Sequence, residues 1–336
     1  MSKEITNAKM FCDICGIIET ARQNAFKRVN EELIHLYWRI GEYLSVEMKT
    51  ANYGDGYIQS IADFIGKEYP DIKGFNKRGL YRMKQFYETY AGDEKVSALL
   101  TQLSWTNHLK LLSACKTQEE RFFYMNLAIK ERYSSRELER QVDSGYFERY
   151  MLSENAPQAK LPEVYAQSER VFLDKYVFEF LEIKEPYAEK DLQKAIVRNL
   201  EDFVLEIGKD FSLVGEEYRV QVGNHDYYID LLFFHRGLSC LVAFELKIGE
   251  FKPEYVSKMG LYLEALDREI KKPKENPSVG IILCVSKDNE VAELRVGRDL
   301  TPARISEYDL QLIDKTLLHR KLKEFAERSG LNGSLE

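Results

Sequence analysis

The sequence predicts an α/β (α+β) protein, a helical N-terminal half joined to a C-terminal domain built on a mixed sheet. Three observations carry this prediction. Apolar residues recur at helical spacing through residues 1–150. Beyond residue 210 they gather into short runs rich in Val, Leu, Ile, Phe and Tyr, separated by turn residues. Between the two, Met151–Pro162 holds Ser, Asn, Pro, Gln, Ala and Lys with little periodicity, which reads as a domain boundary. The expected domains are therefore 1–150 and 163–336, and 336 residues suit two.

In the N-terminal half, Ile14, Ile17, Ile18 and Ala21 begin an amphipathic pattern that Leu33, Leu36, Tyr37, Ile40 and Leu44 continue. Asn52 to Gly56 is a turn cluster. A second helix fits Tyr57 to Glu68, with Ile58, Ile61, Ala62 and Ile65 on one face, and Pro70 to Gly74 breaks it. A third fits Lys77 to Tyr90, with Asn76 as its N-cap. This third helix carries Lys77, Arg78, Arg82 and Lys84. From Lys73 to Lys84 there are five basic residues and no acidic one. A helix, a short turn and a basic helix match a helix-turn-helix, whose second helix faces DNA. A three-helix bundle with a solvated basic face has the same spacing, and the residues alone leave both readings open. Further helices fit Ser104 to Cys115, Gln118 to Lys130 and Ser134 to Val142, the last opened by a Ser134–Glu137 capping box. Trp105 reads as core.

In the C-terminal half, residues 165–206 read as helical. Three strands follow at Phe211–Val222, Asp226–His235 and Leu238–Ile248, joined by hairpin turns at Gly223-Asn224-His225 and Arg236-Gly237. A helix fits Pro253 to Lys271, with Tyr255, Met259, Tyr262, Leu263 and Leu266 on one face. Val279–Val285 is a short apolar strand. Helix, three antiparallel strands, helix and strand make a mixed sheet with helices on its faces.

The net charge of −7 argues against a nucleic-acid partner at first sight, but it is uneven: +1 over residues 1–150 and −8 over the remainder. No apolar run is long enough to span a membrane. The N-terminus lacks a signal-peptide pattern, so the cytoplasm is the expected location. Cys12 and Cys15 form a CxxC without a second pair, and the five cysteines read as reduced, half-buried thiols.

The informative residues are charges inside the apolar strands. Asp230 interrupts Tyr-Tyr-Ile-Asp-Leu-Leu-Phe-Phe, and Glu245 and Lys247 interrupt Leu-Val-Ala-Phe-Glu-Leu-Lys-Ile. Alternation along a strand points Glu245 and Lys247 to one face and Leu246 to the other. A hairpin partner could bring Asp230 beside them. Two carboxylates suit a hard cation such as Mg²⁺ or Mn²⁺, which keeps waters for substrate phosphates. Lys247 would then position an attacking water or offset charge on the phosphate. A salt-bridge patch at the strand edge is the competing structural reading. His225 and His235 sit at strand ends near turns and read as structural or exposed. Tyr227 and Tyr228 read as packing.

The run DYYIDLLFFHRGLSCLVAFELKIGEFKPEY, then MGLYLEALD and NPSVGIILCVSKD, resembles the bacterial YhcG family of the PD-(D/E)XK nuclease superfamily. YGDGYIQSIADFIGKEYP, GFNKRGLYRMKQFYETY, LSWTNHLKLL and YSSRELERQV resemble its N-terminal motifs. The resemblance implies a helical, winged-helix-like N-terminal domain followed by a restriction-endonuclease-like αβββαβ domain. It implies Asp230 and Glu245 as metal-binding acids, with Leu246 between the motif residues as a further metal-binding position, and Lys247 as the catalytic lysine. It also implies a helix acid, with Glu206 in Val-Leu-Glu-Ile-Gly favoured over Glu201, and a polar residue in the following helix, here Lys258. Two departures stand out: Tyr133 where the family has Trp, and Ser257-Lys258-Met259-Gly260 in place of a Gly-Gln stretch.

The sequence thus supports a Mg²⁺- or Mn²⁺-dependent DNA endonuclease. A homodimer is expected, with no membrane association and no small-molecule organic cofactor. The alternative is a catalytically silent DNA-binding or assembly subunit on a nuclease-like scaffold.

Overall fold

The structure, a computed structural model, describes residues 2–50, 55–153, 171–288, 291–292 and 302–328. It divides into two compact units, Met1–Leu138 and Glu139–Glu336. The stretch expected as a linker lies outside the described residues beyond Ser153, as does most of the turn expected at Asn52 to Gly56.

The N-terminal unit is built from α1 (Ser2–Thr50), α2 (Asp55–Glu68), α3 (Lys77–Tyr90), α4 (Glu94–Leu100), α5 (Trp105–Ala114), α6 (Gln118–Glu131) and the start of α7 (Ser135–Asp143). No strand occurs among its described residues. Asn76 caps α3 by accepting a 2.9 Å hydrogen bond from Gly79 N. The Ser134–Glu137 box forms in both directions, Glu137 N to Ser134 Oγ at 3.3 Å and Ser134 N to Glu137 Oε2 at 2.6 Å. Helix α1 crosses α3 closely at Gly41, where a Cβ would lie 2.1 Å from Met83 O. Around that crossing Leu44, Ile58, Leu80 and Met83 are buried, and Tyr37, Phe86 and Trp105 stack beside them. Helix α4 is an addition to the sequence reading. Cys15 on α1 is exposed rather than half-buried, because no described residue packs over that part of the helix.

The C-terminal unit contains α8 (Tyr146–Ser153), β1 (Lys175–Val177), α9 (Glu189–Arg198), α10 (Leu200–Ile207), β2 (Phe211–Val222), β3 (His225–His235), β4 (Cys240–Leu246), α11 (Glu254–Ala265), β5 (Asn276–Cys284), β6 (Ala303–Asp309) and α12 (Lys315–Arg328). The six strands run in the order β1-β6-β5-β4-β3-β2. The β1/β6, β6/β5 and β5/β4 pairs are parallel, and the β4/β3 and β3/β2 pairs are antiparallel. On one face Leu192, Ile196, Phe203 and Ile207 of α9 and α10 cover Leu231, Phe233, Phe244 and Leu246. On the other, Val256, Met259, Tyr262 and Leu263 of α11 cover Leu241, Ala243 and Ile282. Gly280 sets how closely α11 lies, since a Cβ there would meet Met259 Cγ at 2.4 Å.

The described part of 165–206 is not one helix. Tyr176, Val177 and Phe178 are fully buried, and β1 joins the sheet edge beside β6. Pro186 removes a backbone donor, and helix resumes only at Glu189. Strand β6 and helix α12 complete the unit beyond the elements the sequence reading covered.

One buried ion cluster ties this unit together. Glu206 on α10 is fully buried. Its Oε1 lies 2.5 Å from Arg149 Nη1 and accepts from Val177 N at 2.8 Å, and its Oε2 lies 3.1 Å from Arg140 Nη1. Arg149 also donates to the Lys175 carbonyl, and Arg140 to the Val177 carbonyl. The cluster therefore joins α7, α8, α10 and β1. Glu206→Ala should strand the buried Arg149 guanidinium, while half-buried Arg140 keeps Glu179, and cost about 3–5 kcal/mol of stability. Urea unfolding of wild type and variant checks this.

Candidate active site

The β3–β4 ladder ends at the Leu231–Phe244 pair. One step further on, Asp230 stands across from Glu245, and its side chain takes over from the backbone: Oδ2 accepts a 2.7 Å hydrogen bond from Leu246 N. The Asp230 carbonyl accepts from Gln193 Nε2 of α9 at 2.8 Å. On the other edge of β4, Glu245 and Leu246 lie beside Ile282 and Leu283 of β5. The next residue is fixed on both sides, with Lys247 N donating to Leu283 O at 2.8 Å and Tyr308 OH donating to Lys247 O at 3.1 Å.

The side chains converge as alternation requires. Glu245 Oε1 lies 3.1 Å from Lys247 Nζ and 2.6 Å from Lys258 Nζ. Lys247 Nζ also reaches Glu189 Oε2 at 2.9 Å and stands 5.3 Å from the centroid of the Tyr255 ring. Lys258 Nζ stands 5.3 Å from the Tyr262 ring. Glu245 is 1% exposed and Lys247 9%, so both charges depend on one another and on Glu189 for compensation.

Burial pushes the Asp230 carboxyl up to about 6, and the neighbouring Glu245 adds to the shift. The hydrogen bond from Leu246 N and the two lysines oppose it only in part. Burial works against the charge on Lys247, yet its pKa is raised, because the hydrogen bond to Glu189 and the charge of Glu245 outweigh burial. Lys258 is raised likewise, with Glu245 overcoming its burial. Both lysines are ammonium ions at neutral pH.

Glu245 Oε2 is buried and makes no hydrogen bond. Beside it Asp230 resists ionising, so the two acids form a pair short of positive charge on one side. Hard oxygen donors in this condition fit a divalent cation, which usually takes only one or two carboxylates. Among the described residues, no group of three or more His, Cys, Asp or Glu side chains is arranged to hold a metal ion.

Of the residues expected at the site, Asp230, Glu245, Lys247 and Lys258 come together. The Leu246 side chain packs in the core, and its backbone N–H is what meets Asp230. Glu206 does not join them, because Arg149, Arg140 and Val177 N hold both its oxygens. Glu201 is exposed at the start of α10. The sequence reading missed Glu189 and Gln193, which lie four residues apart on one face of α9. The spacing of that acid and amide, soon after the helix-breaking Pro186, was the available signal. His235 is buried against Phe211 and Phe172, and His225 is exposed. Tyr228 is 53% exposed, contrary to a packing role, while its carbonyl accepts from Tyr262 OH.

In the N-terminal unit the four basic residues of α3 fall on two flanks. Arg78 and Arg82, four apart, share one; Lys77 and Lys84, seven apart, share the other. Arg78 is exposed and the others are half-buried. Lys84 pairs with Glu88 at 2.8 Å and Arg82 donates to Gln85, so part of the local charge is compensated.

Residues 169–323 match the family model described as the YhcG PDDEXK nuclease domain, and residues 13–149 match the DUF1016 N-terminal domain. The chain is 29% identical over 347 aligned positions to an Escherichia coli (strain K12) protein named "Putative nuclease YhcG", covering 92% of each chain. A repair endonuclease from Pyrococcus abyssi, known from a crystal structure, is 19% identical. The match covers 39% of this chain and 50% of that one, with a TM-score of 0.26. The chain belongs to the YhcG family of the PD-(D/E)XK nuclease superfamily, with a helical domain N-terminal to its nuclease-like domain.

Proposed function

We propose that the chain is a metal-dependent nuclease that hydrolyses phosphodiester bonds in DNA, with Mg²⁺ or Mn²⁺ as cofactor. The observation that supports this best is half-buried Asp230 beside the buried Glu245, with the unsatisfied Glu245 Oε2 and the charged Lys247 next to them. The name of the Escherichia coli relative points the same way.

Asp230 and Glu245 would hold the cation, with the Leu246 carbonyl as a third oxygen. When bound, the cation supplies charge stabilisation at a phosphoryl oxygen and lowers the pKa of a water. The chain's own residues supply the rest. Leu246 N fixes one Asp230 oxygen and Gln193 fixes the Asp230 backbone, so the carboxylate is aimed before substrate arrives. Lys247, held by Glu189 and Glu245 over the Tyr255 ring, presents its ammonium to the attacking water or to the charge growing on the phosphate. Lys258 places a second ammonium 2.6 Å from Glu245 Oε1. DNA is the favoured substrate because α3 offers Lys77, Arg78, Arg82 and Lys84 after a helix and short turn. Its binding should weaken with salt.

Cleavage of duplex, single-stranded and branched DNA and of RNA by the full chain, with and without Mg²⁺ or Mn²⁺, tests the reading directly. Asp230→Ala and Lys247→Ala should each lower metal-dependent cutting roughly 10²–10³-fold or more while the fold persists. Variants that cut DNA as fast as wild type would overturn the site. Glu189→Gln should weaken cutting less, by roughly 10–100-fold, because it orients Lys247 from behind.

The pH dependence follows from Asp230. Its folded pKa is raised from 3.8 to about 6, so ionising it destabilises the metal-free fold as pH rises through that value. Asp230→Asn should therefore stabilise the metal-free chain at pH 7.5 by about 1–3 kcal/mol, the gain fading below about pH 4. Cutting by wild type should fall as pH drops through about 6. Thermal melts in EDTA across pH 4–8, paired with a pH–rate profile, measure both effects.

A further inference from the structure

Helix α1 carries an apolar stripe that none of the described residues covers. Phe11 is 59% exposed, Ile14 47%, Ile18 53% and Val29 58%, and Ala21 and Ala25 on the same stripe are also exposed. The packed part of α1 begins only at Asn30, which donates to the Thr101 and Leu103 carbonyls, and at the buried Ile34. The spacing 11, 14, 18, 21, 25 alternates steps of three and four, as in a coiled-coil seam; Val29 follows one position late, with Arg28 at the regular place, and the exposed Ile17 and Phe26 flank the stripe. A polar or solvated role gives no reason for four large apolar side chains in this register.

From this stripe we infer that α1 is a homodimerisation helix that pairs antiparallel with α1 of a second copy, centred near residues 19–20. In that register every large residue meets a small or complementary one: Ile18 faces Ala21 of the second copy, Ile14 faces Ala25, and Phe11 lies by Val29. By two-fold symmetry each contact occurs twice. A parallel, in-register pair would instead set Ala21 on Ala21 and Ala25 on Ala25, leaving gaps. The charges agree with the antiparallel choice. Glu19 and Arg22 flank the same side of the stripe, and an antiparallel pair brings like sides together. Each Glu19 then lies by Arg22 of the second copy. Within one chain these two are only loosely paired, at 3.9 Å, and both are well exposed, 59% and 66%. The flank carries both signs, so it complements itself rather than an anionic membrane surface. The seam from Phe11 to Val29 is about 27 Å long.

Analytical ultracentrifugation of the full chain tests the proposal. Wild type should sediment as a dimer in reversible equilibrium with monomer. Ile14→Glu/Ile18→Glu should weaken dimerisation roughly 100-fold or more, with helix content by circular dichroism unchanged. Glu19→Arg and Arg22→Glu should each self-associate roughly tenfold more weakly, since like charges then meet across the seam. An equimolar mixture of those two variants should form a heterodimer of near wild-type strength. The inference is overturned if wild type is monomeric throughout, or if the double-glutamate variant dimerises like wild type. It is also overturned if the two charge variants mix no better than each associates alone. Neither charge change touches a core position, so both variants report on the register even if the double-glutamate helix frays.

Discussion

The β3–β4 ladder ends one residue short of Asp230, and a side chain takes the place of the next backbone bond. Most of the site's geometry depends on that substitution. An ordinary pair would leave the Asp230 carboxylate free to turn to solvent. Bound to Leu246 N, it is held inside, opposite a second buried acid. Burial first, and the neighbouring Glu245 second, make Asp230 resist ionising. The lysines relieve only the Oε1 side of Glu245. The other oxygen, Oε2, is buried and makes no hydrogen bond, which in a folded protein asks for an explanation.

The scaffold around this point is rigid where it needs to be. Strand β5 and Tyr308 fix the Lys247 backbone from two directions. Met259 seats over Gly280, bringing α11 close enough for Lys258 to reach Glu245. Helix α9 contributes twice, with Gln193 at the Asp230 backbone and Glu189 at the Lys247 ammonium. The unit thus places three helical side chains and two strand acids around one lysine. Its other ion cluster, Glu206 with Arg140 and Arg149, joins elements of the same unit and has a structural task.

What could be read from the sequence follows from how local each signal was. Asp230, Glu245 and Lys247 stood out because charges within apolar strands need a reason, and period-two alternation put the last two on one face. Lys258 was expected only through the family resemblance, as the polar residue of the helix that follows the Glu245–Lys247 strand. The ion partners of Glu206 were not legible, because its apolar neighbours indicate burial but not partners. Those partners, Arg149 and Arg140, lie 57 and 66 residues away in the chain. Glu189 was hidden inside a stretch read as continuous helix, where a strand, a Pro break and two shorter helices occur instead. The apolar pattern at Ile14, Ile17 and Ile18 was legible as a helix, but only the fold shows that the described residues leave it exposed.

Asp230 and Glu245 are proposed to form a divalent-cation site, in which Glu245 Oε2 makes no hydrogen bond and burial raises the pKa of Asp230. Isothermal titration of Mn²⁺ into the full chain at pH 7.5, with wild type, Asp230→Asn and Glu245→Gln side by side, addresses it most directly. The account predicts a saturable binding heat for wild type that both substitutions abolish, and that fades for wild type at pH 5 as Asp230 takes up a proton. No binding by wild type, or equal binding by all three chains, would contradict it and would favour a nuclease-like scaffold serving only binding or assembly.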